Sequence, residues 1–221
     1  MEQTQSKTKS AIPEHELWDN LKISNSFIFA KVMRNPELCK GMLESLLDIT
    51  IDHIEYPTDS KNMRLEVYLE NGKGTIYNVV LQVANSGTSA QLSQKAGYFQ
   101  KAIDLEAIAQ GIYYDELPDS FVIFICTFDV FEQGLWKYTF KSGCKETNTF
   151  LDDGTTIVFF NASGIKGTIS KNTENILKFI KDNIAEDDFT KKLAQEIQKI
   201  KEDKECRAEY MTLFDIETSK L

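Results

Sequence analysis

The residues of this 221-residue chain that could do chemistry together are carboxylates, amides and cations on one hairpin, because the usual catalytic and metal-binding types are scarce. Two histidines occur, His15 and His53, isolated from one another. Four cysteines, Cys39, Cys126, Cys144 and Cys206, are too widely spaced for a zinc site or a dense disulfide scaffold and read as reduced thiols. That argues against a histidine-based triad. What remains is residues 63–82, MRLEVYLENGKGTIYNVVLQ, two alternating runs joined by the turn formers Asn71-Gly72 and Lys73-Gly74. Alternation predicts half-buried strands. It puts Arg64, Glu66, Tyr68 and Glu70 on one face of the first strand. On the second, Ile76, Asn78, Val80 and Gln82 point one way, and Tyr77, Val79, Leu81 and Val83 the other. Glu66, Val80 and Gln82 are the positions that decide what this hairpin can do. Unaided, Glu66 is an ordinary surface carboxylate and Val80 an ordinary packing residue.

The elements that must position the hairpin follow from periodicity. Residues 1–16 are polar and read as a disordered tail. Apolar residues at helical spacing over 17–47 give two short helices separated at Asn35-Pro36, with Asn35 as the cap and Pro36 in the first turn. Residues 49–56 are β-rich. Residues 91–110 are helical, with Leu92, Ala96, Phe99, Ile103, Ala107 and Ile108 recurring on one side and Gly111 at the end. Lys95, Tyr98 and Gln100 fit either a pocket wall or the polar side of that helix. The continuous run Phe121-Val122-Ile123-Phe124-Ile125-Cys126 predicts a central strand covered on both faces. Residues 135–140 and 155–160 add two more strands, and the chain beyond Gly167 is helical. The aromatics Tyr113, Tyr114, Phe121, Phe124, Phe128 and Phe131 read as core. The result is an α/β arrangement around a mixed sheet.

A hydrophobic content of 42% supports one substantial core. The polar N-terminus lacks the apolar stretch of a signal peptide, and no apolar run reaches the length of a membrane span, so a cytoplasmic location is expected. A net charge of −9 argues against a surface that grips nucleic acid nonspecifically, without excluding a local basic groove.

Several phrases then carry a resemblance: Ile23-Ser24-Asn25-Ser26-Phe27-Ile28-Phe29, Arg64-Leu65-Glu66-Val67-Tyr68, Tyr77-Asn78-Val79-Val80-Leu81-Gln82, Tyr114-Asp115-Glu116-Leu117-Pro118 through Phe128, and Glu209-Tyr210-Met211-Thr212-Leu213. From about residue 17 to 213 the chain resembles the Rpn family of recombination-promoting nucleases, also known as PD-(D/E)XK nuclease family transposases. The resemblance implies a restriction-endonuclease-like core of helix, three strands, helix and strand over 17–167, with a helical extension over 168–221. It implies an active site on the hairpin: an Asp on the first strand and Glu-x-Gln on the second, where carboxylates hold Mg²⁺ against the scissile phosphate.

At those positions this chain has Glu66, Val80 and Gln82. The first keeps a carboxylate on a longer arm, the second has no oxygen, and the third is retained. Ser26 stands where the family writes Asp before its first helix, and Lys95-Ala96-Gly97-Tyr98-Phe99 keeps one of two cations expected on the following helix. The leading reading is a nuclease-like protein that has lost catalysis and acts by binding a partner, nucleic acid or nucleotide in a phage, mobile-element or anti-defence setting. Arg64, Asn78, Lys95 and Tyr98 are its candidate binding residues, and no cofactor is expected. A second reading is a weak Mg²⁺-dependent DNA endonuclease with Glu66 as metal ligand and Glu70, Asn78 or Glu44 as substitute. A third is an oligomeric protein that sequesters a phosphate-bearing signal through Lys95, Arg64 and Lys101. The resemblance also implies active relatives as protein partners and a homodimer or higher oligomer, although the sequence alone shows no interface stripe.

Overall fold

A computed structural model describes residues 14–56, 67–71, 74–83 and 88–218. In chain order the elements are α1 (Glu14–Asp19), α2 (Ser26–Val32), α3 (Pro36–Leu47), β1 (Ile54–Glu55), β2 (Val67–Asn71), β3 (Ile76–Gln82), α4 (Ser89–Ala109), a 3₁₀ turn (Tyr114–Glu116), β4 (Ser120–Cys126), β5 (Lys137–Phe140), β6 (Thr155–Asn161), α5 (Lys171–Asp182), α6 (Asp188–Glu202) and α7 (Lys204–Thr218).

Local chemistry starts and stops these helices where the sequence places the signals. Asn25 Oδ1 accepts from the amides of Phe27 and Ile28, and Asn35 Oδ1 from those of Glu37 and Leu38, with Pro36 at the first helical position. Thr88 and Gln91 form a reciprocal capping box on α4. That helix ends at Ala109, and Gly111 takes the left-handed backbone (φ 91°) that carries the chain away.

The six strands form one mixed sheet in the order β1-β2-β3-β4-β6-β5. β3, β4 and β6 run parallel; β1, β2 and β5 are antiparallel to their neighbours. Val122, Ile123, Phe124, Ile125 and Cys126 of β4 are all fully buried, as their unbroken apolar run requires of a central strand. On one face, Tyr77, Val79, Leu81, Ile123, Ile125, Val158 and Phe160 pack with α2, α3, α5 and α6. On the other, Ile76, Val80, Val122, Phe124 and Phe159 pack with Leu92, Ala96, Phe99 and Ile103 of α4. The alternation of β3 is thus as expected, but the strand is not half-buried: α4 covers the second face, and every residue from Ile76 to Leu81 is buried.

Two other expectations change. The β-rich stretch 49–56 contributes only the two-residue β1, and Ile108 points to solvent rather than into the α4 contact. The C-terminal helices share the core of the sheet. Leu193, Ile197 and Ile200 belong to the same cluster as α2 and α3, and Trp18 donates its indole N–H to the Lys201 carbonyl at 3.0 Å. The N-terminal tail through residue 13 lies outside the described residues. No described helix is long and apolar enough to cross a membrane.

Candidate functional site

β3 is the strand that positions the candidate site. It pairs with β2 through Val67↔Val79 and Tyr68↔Asn78, and with β4 through Asn78↔Val122, Val80↔Phe124 and Gln82↔Cys126. Arg64 and Glu66, and with Glu66 the expected metal ligand, lie outside the described residues. Asn78 and Val80 face α4 and are closed off from solvent, Val80 at 2% exposure among Leu92, Ala96, Phe99 and Phe124. Gln82, at the C-terminal end of the strand, stays partly exposed.

Asn78 is fully buried, yet neither Nδ2 nor Oδ1 has a hydrogen-bond partner among the described residues. A buried amide without partners costs roughly 1–3 kcal/mol of stability, and packing alone would place an aliphatic residue there. A second amide is buried under the same helix. Gln100 Nε2 donates to Ser120 Oγ at 2.7 Å and to Asp104 Oδ1 at 3.1 Å, while its Oε1 is unpartnered among the described residues. Sequence periodicity had no means of finding this network, since Ser120 precedes the apolar run of β4 and Gln100 reads as a polar helix residue.

The helix residues do not gather into one wall. Lys95 holds its ammonium 5.3 Å from the Phe99 ring centroid, a cation–π contact. Tyr98 is 67% exposed with its ring edge-on to Phe99. Because Gln100 is buried and Tyr98 exposed, Lys95, Tyr98 and Gln100 are not one polar side of the helix. Tyr113 and Tyr114 are also exposed rather than core, whereas Phe124 is fully buried.

The substitute acids are placed elsewhere. Glu44 belongs to α3, whose buried residues pack on the opposite face of the sheet, and its Oε1 accepts from the Ile51 amide at 2.8 Å. Glu70 is exposed at the turn end of the hairpin, opposite Ile76. Among the described residues no group of three or more histidine, cysteine, aspartate or glutamate side chains is arranged to hold a metal ion. Burial pushes the Cys39 and Cys126 thiols up to about 12, which removes them as nucleophiles at neutral pH.

Two surface clefts of about 620 Å³ each are acidic. One, where the end of α3 meets the starts of α5 and α6, is lined by Glu44, Asp48, Asp187 and Asp188. The other, beside the start of β4, is lined by Asp104, Asp115, Asp119, Asp152 and Asp153. No lysine or arginine lines either cleft, so both repel phosphate-bearing ligands.

No family model, curated protein or solved structure matches the chain.

Proposed function

We propose that this protein is a catalytically silent PD-(D/E)XK-type scaffold that works by holding a protein partner rather than by cutting nucleic acid. The observation that carries the proposal is Val80. At the position where the resembled nucleases need a second metal-binding carboxylate, the chain has an aliphatic side chain packed under α4. A hydrated Mg²⁺ site requires several oxygen ligands, and a buried methyl-lined position supplies none.

The order α3, β1, β2, β3, α4, β4 supports the finer fold assignment, being the helix, three strands, helix and strand of that core. The unpartnered amide of Asn78 supports descent from a functional site, because such costs concentrate where a fold once served chemistry. Neither acidic cleft suits a nucleotide or nucleic-acid ligand, and we favour a protein partner. An active nuclease of the resembled kind is the partner that fits a phage or mobile-element setting, with mixed association as the means of antagonising it.

The test is titration of purified protein into such an active nuclease on supercoiled DNA with Mg²⁺. Stoichiometric loss of cleavage is expected. Undiminished cleavage at a several-fold excess of this protein would overturn the partner assignment. Cleavage by this protein alone, lost in Glu66→Ala, would overturn its silence.

A further inference from the structure

We infer that the open edge of the sheet at β5 takes up an extended segment of another protein as a seventh strand, with acidic residues set against Lys137 and Lys141 and apolar residues between them. The inference stands on strand register and does not depend on the nuclease reading.

Register decides which backbone groups of β5 are already used. Tyr138 lies opposite Phe159 and Phe140 opposite Ile157, and one pair earlier the Asn161 amide donates to the Trp136 carbonyl at 2.9 Å. Bonded and non-bonded pairs alternate along an antiparallel ladder, so Trp136, Tyr138 and Phe140 turn their N–H and C=O groups toward β6. Lys137, Thr139 and Lys141 turn theirs the other way. β5 is the last strand of the sheet, and no backbone group outside the ladder bonds to these three among the described residues. The segment returning from β6 does not reach them either: the Ile165 and Lys166 amides donate to the Gly134 carbonyl, and the Trp136 amide to that of Lys166. Thr139, Phe140 and Lys141 are exposed. An unpaired edge of this kind is a template for one more strand.

The side chains along the edge set the chemistry of the occupant. Lys137, Thr139 and Lys141 share one face. Lys137 stands 5.5 Å from the Phe160 ring centroid, with Asp48 as the carboxylate that bears on it, and neither lysine forms an ion pair among the described residues. On the other face Phe140 is 44% exposed and rests on Phe131, with ring centroids 5.2 Å apart. An incoming strand therefore meets cation, hydroxyl and cation on one face and an apolar shelf on the other. The matching order is acid, apolar, β-branched, apolar, acid. Edge lysines commonly guard against pairing with another copy, and here the guard is selective. A second copy pairing antiparallel about Thr139 would set each Lys137 against Lys141 of the other copy, like charge on like. The same two lysines attract an acidic strand.

The test titrates the full chain, up to about 1 mM, into a fluorescein-labelled heptapeptide, Thr-Glu-Val-Thr-Val-Glu-Thr, followed by fluorescence polarisation. Saturable binding with a Kd of about 100 µM or below is expected, as suits a small interface, and about tenfold weaker binding when both glutamates are replaced by lysine. Lys141→Glu, at an exposed position, should reverse that preference. Thr139→Pro removes an outer N–H that the fold does not use, and should abolish binding while the circular dichroism spectrum is kept. No binding by the top of the range, equal binding of the two peptides, or a preference that survives Lys141→Glu would each overturn the inference. So would a doubled mass in sedimentation equilibrium that the peptide reverses, since the edge would then belong to a second copy.

Discussion

Val80 and Phe124 stand side by side across the parallel β3–β4 ladder, both buried beneath α4. This contact bears on any attempt to place an acid at position 80. A carboxylate at position 80 enters an apolar layer among Leu92, Phe99 and Phe124 rather than an open cleft. Val80→Glu is expected to destabilise the fold by about 3 kcal/mol. Urea unfolding at neutral pH measures it, and an unchanged midpoint would mean that the position opens to water.

Asn78 is expected to behave in the opposite sense. With both amide atoms unpartnered among the described residues, Asn78→Val removes an uncompensated polar group and adds a β-branched side chain suited to a strand. The expected gain is about 1–2 kcal/mol, read as a raised denaturation midpoint. A loss of that size would show that the amide has a partner the fold depends on.

Asp129 organises the turn after β4. Its Oδ1 accepts from the Phe131 amide at 3.1 Å and the Tyr138 hydroxyl at 2.8 Å, and its Oδ2 from the Gly134 amide at 2.6 Å. Burial alone would raise its pKa, but the hydrogen bonds from Tyr138, Gly134 and Phe131 outweigh burial and hold the carboxyl below its ordinary value. A depressed folded pKa gives stability that is present above the ordinary aspartate pKa and is lost as pH falls through the folded value. Asp129→Ala should cost about 2–3 kcal/mol at pH 7 and flatten the acid limb of the stability profile, measured by denaturation between about pH 2 and 7. A variant whose acid limb matches the parent protein would contradict this.

Thiol reactivity should separate by burial. The Thr147 hydroxyl and neighbouring amides lower the pKa of the exposed Cys144 thiol, whereas burial raises those of Cys39 and Cys126 to about 12. Timed alkylation with mass-spectrometric readout is expected to label Cys144 first, and Cys39 and Cys126 only on unfolding. Early labelling of Cys126 would mean that the layer beneath α4 opens readily.

Much of this architecture is legible in the residues themselves. The alternation of 76–82 assigns its two faces correctly, the unbroken apolar run of 121–126 marks the central strand, and Asn35-Pro36 and Gly111 mark helix boundaries through local hydrogen bonding and backbone conformation. Other features depend on tertiary packing. That β3 is covered twice follows from α4 folding back over it. That α4 also carries apolar residues on its outward side is hidden in the sequence because a helix apolar on both sides has little amphipathic contrast. Ile108, Tyr113 and Tyr114 look like core by residue type and stand in solvent because α4 turns only one side to the sheet and the segment after it runs over the surface. The site is legible only in part: Val80 and Gln82 are placed on β3, while Arg64 and Glu66 lie outside the described residues.

The most direct measurement is cleavage of supercoiled and linear DNA by the purified full chain, with Mg²⁺ and with Mn²⁺, beside Glu66→Ala. A silent scaffold gives no product above the metal-free control with either ion, and Glu66→Ala changes nothing. Metal-dependent product that disappears in Glu66→Ala would contradict the claim that this fold has given up its chemistry.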